Sequence, residues 1–190
     1  MKKNIKKYLD QVSKNFVLLD REAANIEKAA NIIINALEQN NKIIFCGNGG
    51  SAADSQHLAA ELMGRYKLDR KPLAAMSLTV DTSALTAIGN DYGYDNVFAR
   101  QLEGVGNKND VLYATSTSGT SKNIIQAVNK AKELNISVIG LTGDNNSLLS
   151  SLSDVAIQAP SNETNYIQEM HIAIGQLICG IVENYFFGKR

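Results

Sequence analysis

The sequence predicts an α/β protein, a three-layer arrangement in which a parallel sheet of about five strands is flanked by helices on both faces, with an N-terminal helical extension. Three observations carry this expectation. From residue 42 onward the apolar runs are short and continuous rather than alternating, as in strands buried on both faces. A stretch with helical character follows each run. Prolines are confined to Pro72 and Pro160, and no repeat or low-complexity stretch marks a linker. The 190 residues therefore read as one domain, with 1–38 as N-terminal helices and 39–190 as the α/β core.

In chain order, residues 2–38 read as two helices broken near Leu19 and Asp20, with Asp20 placed to cap the second. The apolar positions of that second helix include Ala24, Ile26, Ala29, Ile32, Ile33 and Leu37. Strand candidates follow at 42–46, 75–78, 111–114, 138–141 and 155–157. Helix candidates lie between them at 51–65, 83–104, 120–134 and 146–153. A parallel sheet of this kind binds ligands at the carboxyl ends of its strands, where loops lead into helix N-termini. The last helix candidate, 164–186, is apolar around more than one stripe, through Ile167, Met170, Ile174, Leu177, Ile178, Ile181 and Tyr185. Such a helix needs partners on several sides, which points to homo-oligomerisation or to central burial in a monomer.

Composition narrows the function classes. Lys and Arg balance Asp and Glu at 19 each, so no electrostatic footprint favours nucleic acid or an anionic membrane, and any anion site must be local. The basic N-terminus is not followed by an apolar h-region, and no run approaches the length of a membrane span, so export and membrane insertion are not expected. Cys46 and Cys179 each lie in an apolar run, outside any metal-binding spacing, and read as buried thiols in a reducing, cytoplasmic compartment.

Three groups of residues carry chemistry. Gly47-Asn48-Gly49-Gly50-Ser51 turns from a strand into a helix, and its glycines let backbone N–H groups approach a ligand. It lacks both the P-loop and the dinucleotide-binding patterns, and plain turn punctuation would look the same. Ser116-Thr117-Ser118-Gly119-Thr120-Ser121 makes the same turn with five hydroxyls, where a helix cap requires one; it reads as a phosphate cradle that needs no Lys or Arg. His57 and Glu61 project four residues apart from one face of the helix that leaves the first loop. A solvated surface pair has the same spacing, so placement must decide between the two readings.

These residues, with Gln56-His57-Leu58-Ala59-Ala60-Glu61, Ala87-Ile88-Gly89-Asn90-Asp91 and Ile167-Gln168-Glu169-Met170-His171, resemble the phosphoheptose isomerases of the SIS (sugar isomerase) group. The resemblance runs in order over almost the whole chain. It implies an SIS-type, flavodoxin-like fold and a cytosolic homotetramer that converts sedoheptulose 7-phosphate to D-glycero-D-manno-heptose 7-phosphate for lipopolysaccharide or capsule heptose.

It further implies that Ser116, Thr117, Ser118 and Ser121 hold the phosphate. Asn48, Gly49, Gly50, Ser51, Asn90, Asp91 and Gln168 contact the sugar, and Glu61 is the carboxylate acid/base. A zinc ion, one per subunit, is implied on His57, Glu61, Gln168 and a histidine eight residues beyond the glutamine. Here that last position is Gln176, which can offer an oxygen but cannot exchange a proton near neutral pH. Three readings follow: Gln176 is a weaker metal ligand while water or His171 handles the second proton; the substrate is a related sugar phosphate; or catalysis is lost. The last would make the chain a sugar-phosphate sensor or a binding protein, like the paralogue that associates with the replication initiator DnaA. The presence of Glu61 favours an enzyme.

Overall fold

The structure is a computed structural model, and it describes residues 1–188. Its sheet consists of β1 (Ile43–Gly47), β2 (Ala75–Ser77), β3 (Val111–Thr115), β4 (Ser137–Thr142) and β5 (Val155–Gln158) in the order β2-β1-β3-β4-β5. Every neighbouring pair is parallel, with Gly47 opposite Thr115 at the carboxyl ends of β1 and β3. This is the flavodoxin-like order, and the strand sequence reverses direction between β1 and β3. The crevice at the carboxyl ends of those two strands is therefore where the topology leaves room for a ligand.

The continuous apolar runs are explained by two cores. Successive side chains of a strand face opposite ways. Ile43 and Phe45 join Tyr113, Ile139 and Ile157 under α2 (Ala23–Glu38), α3 (Gly50–Met63) and α8 (Thr164–Phe187). Ile44 and Cys46 join Leu112, Ala114 and Val138 under α5 (Val97–Val105), α6 (Lys122–Glu133) and α7 (Leu148–Leu152). Burial of each such side chain is worth roughly 1.5–3 kcal/mol, so both faces contribute to stability.

Two expectations are corrected. The 83–104 stretch is not one helix: α4 (Thr82–Tyr92) stops at Gly93, whose φ of 82° ends the turn, and a 3₁₀ turn at Tyr94–Asn96 leads into α5. Asp81 caps α4 by accepting from the Ala84 N–H at 2.9 Å. At the N-terminus α1 (Lys2–Leu18) and α2 flank a 3₁₀ turn at Leu19–Glu22, and α2 begins without a side-chain cap. Asp20 lies inside that turn and does not cap α2, because the chain continues in helical conformation through the junction and leaves no cap position at Asp20.

The last helix has the length and hydropathy of a membrane span, but Tyr166, Met170, Ile174, Ile178 and Val182 are buried in the first core against α2 and α3. Its remaining stripe, Leu177, Ile181 and Tyr185, is exposed, as are Phe16 and Val17 of α1.

Candidate active site

The two loops of the crevice are tied together. Asn48, after β1, and Asn123, in the first turn of α6, exchange amide hydrogen bonds in both directions at 2.8 Å. The Tyr94 hydroxyl donates to Asn48 Oδ1 at 3.3 Å, bringing the α4–α5 junction over the same loop. Asn90 and Asp91 sit on that exposed stretch and bond each other at 2.8 Å. Gly49 begins α3 with φ 55°, and Gly50 has no room for a side chain: a Cβ there would lie 2.8 Å from the Gln168 amide. Gln168 of α8 thus belongs to the crevice, beside Asn48, Gly49, Gly50 and the buried Ser51.

The hydroxyl loop is held in shape by its own side chains and by its neighbours. Ser121 stands at the N-cap of α6, yet no side chain caps that helix. The hydroxyls bond one another instead, with Ser116 Oγ 3.0 Å from Ser121 Oγ and 3.4 Å from Ser118 Oγ. The Gly119 N–H donates to Ser116 Oγ at 3.1 Å. The loop is fixed from behind, where Gly143 N–H donates to Thr117 O and Leu149 N–H donates to Gly119 O, both at 3.0 Å. At Gly119, φ is 66° and a Cβ would meet Ser147 Oγ at 2.1 Å. Uncapped N–H groups, a helix N-terminus and preset hydroxyls are the features of an anion site.

His57 and Glu61 meet as the spacing predicts, His57 Nε2 donating to Glu61 Oε1 at 3.0 Å. The Glu61 side chain is 19% exposed and the His57 ring 47%. Asp54, one turn earlier, lies near the pair, and burial pushes its carboxyl up against a smaller downward pull from His57. Sequence alone assigns Asp54 no role, and the signal for it is its i, i+3, i+7 spacing with His57 and Glu61.

This pair stands toward the other end of α3 from the crevice. Glu61 lies eleven residues beyond Gly50 on α3, about 16 Å along the axis at 1.5 Å per residue. There the helix ends beside the entry to the sheet, with Leu73 N–H donating to Leu62 O and Ile43 N–H to Ala74 O at 3.0 Å. Packing of α8 alongside α3 divides the α8 residues in the same way. Gln168 meets Gly50, Gly175 packs on Leu58, and Gln176 opens into a groove of about 410 Å³ with Tyr66, Lys67 and Glu183.

The nitrogen and oxygen donors fit a metal in part. A His Nε2 and a carboxylate oxygen 3.0 Å apart match two ligands that each stand about 2.0–2.2 Å from one zinc. Gln168 and Gln176 would add neutral amide oxygens, but Gln168 points into the crevice. Among the described residues no three His, Cys, Asp or Glu side chains converge.

His171 is not available as a replacement proton donor. It is buried, donates Nε2–H to Thr142 O at 3.0 Å, and leaves Nδ1 without a partner. Desolvation brings its pKa down to about 4, against a small upward effect of the Thr142 bond. Cys46 and Cys179 are free, buried thiols, both pushed up to about 12 by burial.

Known proteins resemble this chain over its whole length. The SIS domain family matches residues 7–143. The phosphoheptose isomerase of Akkermansia muciniphila is 50% identical over 188 residues, 99% of this chain and 100% of that one. That of Rhodospirillum rubrum is 48% identical over 97% and 98% of the two chains. Among solved structures, the phosphoheptose isomerase of Neisseria gonorrhoeae superposes with a TM-score of 0.91 at 38% identity, covering 96% of this chain and 98% of its own. That of Francisella tularensis gives 0.92 at 33% identity, covering 96% and 97%. The chain belongs to the SIS domain family and, within it, to the phosphoheptose isomerases.

Proposed function

We propose that this protein isomerises sedoheptulose 7-phosphate to D-glycero-D-manno-heptose 7-phosphate, supplying heptose for lipopolysaccharide or capsule, and that it works in the cytoplasm as a homotetramer of single-domain subunits. The observation that carries the reading is the Glu61 carboxylate, four-fifths buried and oriented by His57 at 3.0 Å. A largely shielded carboxylate with a fixed partner is what a proton shuttle between adjacent carbons requires. The binding-only alternative is set aside, since Glu61 is in place and relatives at about half identity are named isomerases.

In this mechanism the hydroxyls of Ser116, Thr117, Ser118 and Ser121 and the first N–H groups of α6 hold the phosphate. Asn48, Gly49, Gly50, Ser51, Asn90, Asp91 and Gln168 line the path of the sugar hydroxyls. Glu61 takes the proton from C1, the C1–H electrons form the C1=C2 bond of an enediol, and O2 gains a proton. In the second half O1 gives up its proton, C1=O forms, and Glu61 returns a proton to C2. Proton transfer of this kind contributes about 10²–10⁴ in rate. His57, Glu61 and Gln176 would hold one zinc per subunit, which would polarise the sugar carbonyl, and Gln168, which lies in the crevice beside Gly50, would join that set only from the copy whose crevice holds the sugar. With glutamine at 176 the set carries a weakly basic amide oxygen in place of an imidazole nitrogen, and solvent handles the proton exchange on O1 and O2.

Geometry also argues for the oligomer. The six C–C bonds of a heptose, about 1.5 Å each, span at most roughly 9 Å, less than the separation of Glu61 from Gly50 along α3. With the two elements set so far apart, we read a sugar seated in the hydroxyl loop of one copy as meeting Glu61 of another. The exposed stripe of Leu177, Ile181 and Tyr185 beside Phe16 supplies an apolar face for that association. Incubation of the purified protein with sedoheptulose 7-phosphate should yield an aldoheptose 7-phosphate, from a species of four times the 20.6 kDa chain mass. Folded tetramer without turnover would refute the reaction; a monomer with full turnover would refute the shared site.

A further inference from the structure

A buried ion pair outside the substrate crevice closes the end of α3 that carries Glu61. The Arg70 and Glu183 side chains are 2% and 3% exposed, and Arg70 Nε donates to Glu183 Oε1 at 3.0 Å. Arg70 then uses the rest of its fork on the last carbonyls of α3. Nη2 donates to Glu61 O at 2.7 Å, and Nη1 donates to Leu62 O at 2.7 Å, to Gly64 O at 3.1 Å and to Lys71 O at 3.0 Å. Glu183, on α8, accepts the backbone N–H groups of Tyr66, Lys67 and Leu68 at 2.8–3.0 Å. Burial pushes its carboxyl up, but these three N–H bonds and Arg70 outweigh it and hold it below the ordinary carboxylate range.

Helix C-termini leave their last carbonyls unpaired and fray there. Glu61 belongs to the last turn of α3, where fraying would blur the position of its carboxylate. A planar guanidinium at that end satisfies several carbonyls at once and places a cation where the helix dipole favours one. The same guanidinium is fixed by a carboxylate seven residues beyond Gln176 on α8, so the register of α3 against α8 is set at the same point. We propose that Arg70 and Glu183 are positioning residues for Glu61, holding the last turn of α3 in the geometry that proton transfer requires. This rests on the isomerase reading of Glu61.

The test is Arg70→Lys, which keeps the charge opposite Glu183 but replaces the fork with one point donor that cannot serve Glu61 O, Leu62 O and Glu183 together. A displacement of the acid/base by an ångström costs up to about 100-fold in rate. The expected result is a roughly 10- to 100-fold fall in kcat with sedoheptulose 7-phosphate and a KM changed less than about 3-fold, because the phosphate cradle is untouched. Amide exchange of residues 58–64 should quicken about tenfold while residues 122–133 stay protected as in the wild type. Wild-type kcat in Arg70→Lys, or a loss confined to KM, would overturn the proposal. Should the wild type prove inert, the isomerase reading fails by itself, and the exchange measurement still decides: unchanged exchange at 58–64 overturns the positioning role. Glu183→Asp, which also keeps both charges, is read by the same criteria if Arg70→Lys does not fold.

Discussion

The two ends of this sheet hold the two groups of residues to which the proposed chemistry is assigned, and they are built in different ways. At the carboxyl end, the proposed phosphate cradle is one run of six residues in which the hydroxyls of Ser116, Ser118, Thr120 and Ser121 hydrogen-bond one another and Gly119 takes the positive φ of the turn. At the opposite end, Glu61 depends on a histidine four residues away, an arginine nine residues on and a glutamate 122 positions later on another helix. The first is local chemistry that folds with its loop; the second is assembled by tertiary packing. Binding and proton transfer should therefore respond to different substitutions.

The largest separation is expected from Glu61→Gln, which keeps the shape of the side chain and removes its acid/base capacity. Steady-state kinetics should show kcat lower by about 10²–10⁴ with KM little changed. Gly119→Ala acts on the other end. With φ at 66° and Ser147 Oγ 2.1 Å from the added methyl, the cost is about 3 kcal/mol from backbone strain and overpacking. Thermal unfolding should show that loss together with a smaller stabilisation by added sugar phosphate. Ser116→Ala removes the acceptor that holds Gly119 N–H and the contact to Ser121. It should raise KM about tenfold, as expected for one lost charge-assisted hydrogen bond, with kcat nearly intact.

Those differences also explain what could be read in the sequence. All five strands lie within two residues of their apolar runs, because side chains alternating between two cores make a run continuous. The hydroxyl loop is legible for the same kind of reason, as a contiguous motif that the structure places on the turn from β3 into α6. The break at Gly93 was hidden because apolar positions continue across it into Val97 and Phe98. Arg70 and Glu183 were hidden because their partners are set by packing. One signal existed: Glu183 is an acid on the apolar face of α8, directly after Val182, and a charge there needs a buried partner. The distance between Glu61 and the cradle could not be read from motifs, which give order along the chain but not the direction in which α3 leaves the crevice.

The smallest expected effect concerns neither end but the seam between α8 and β4. His171 is held neutral, with its folded pKa near 4 against about 6.5 unfolded. Between these values the unfolded chain binds more protons, so this contribution is complete above pH 6.5 and is lost as pH falls toward 4. Stability should drop by about 1 kcal/mol between pH 7 and 5.5 through this residue. Denaturant unfolding of His171→Asn at the two pH values should show that part of the dependence gone.

The central claim, that one substrate bridges the cradle of one copy and Glu61 of another, is tested most directly by complementation. Glu61→Gln lacks the acid/base, and Ser116→Asp places a negative charge in the phosphate cradle; each should be inactive alone. Co-expressed and randomly assembled at equal ratio, they leave about a quarter of shared sites with both wild-type elements. Recovery of about that fraction of wild-type turnover of sedoheptulose 7-phosphate is the predicted result. Mixed oligomers that remain as inactive as the separate variants would contradict it.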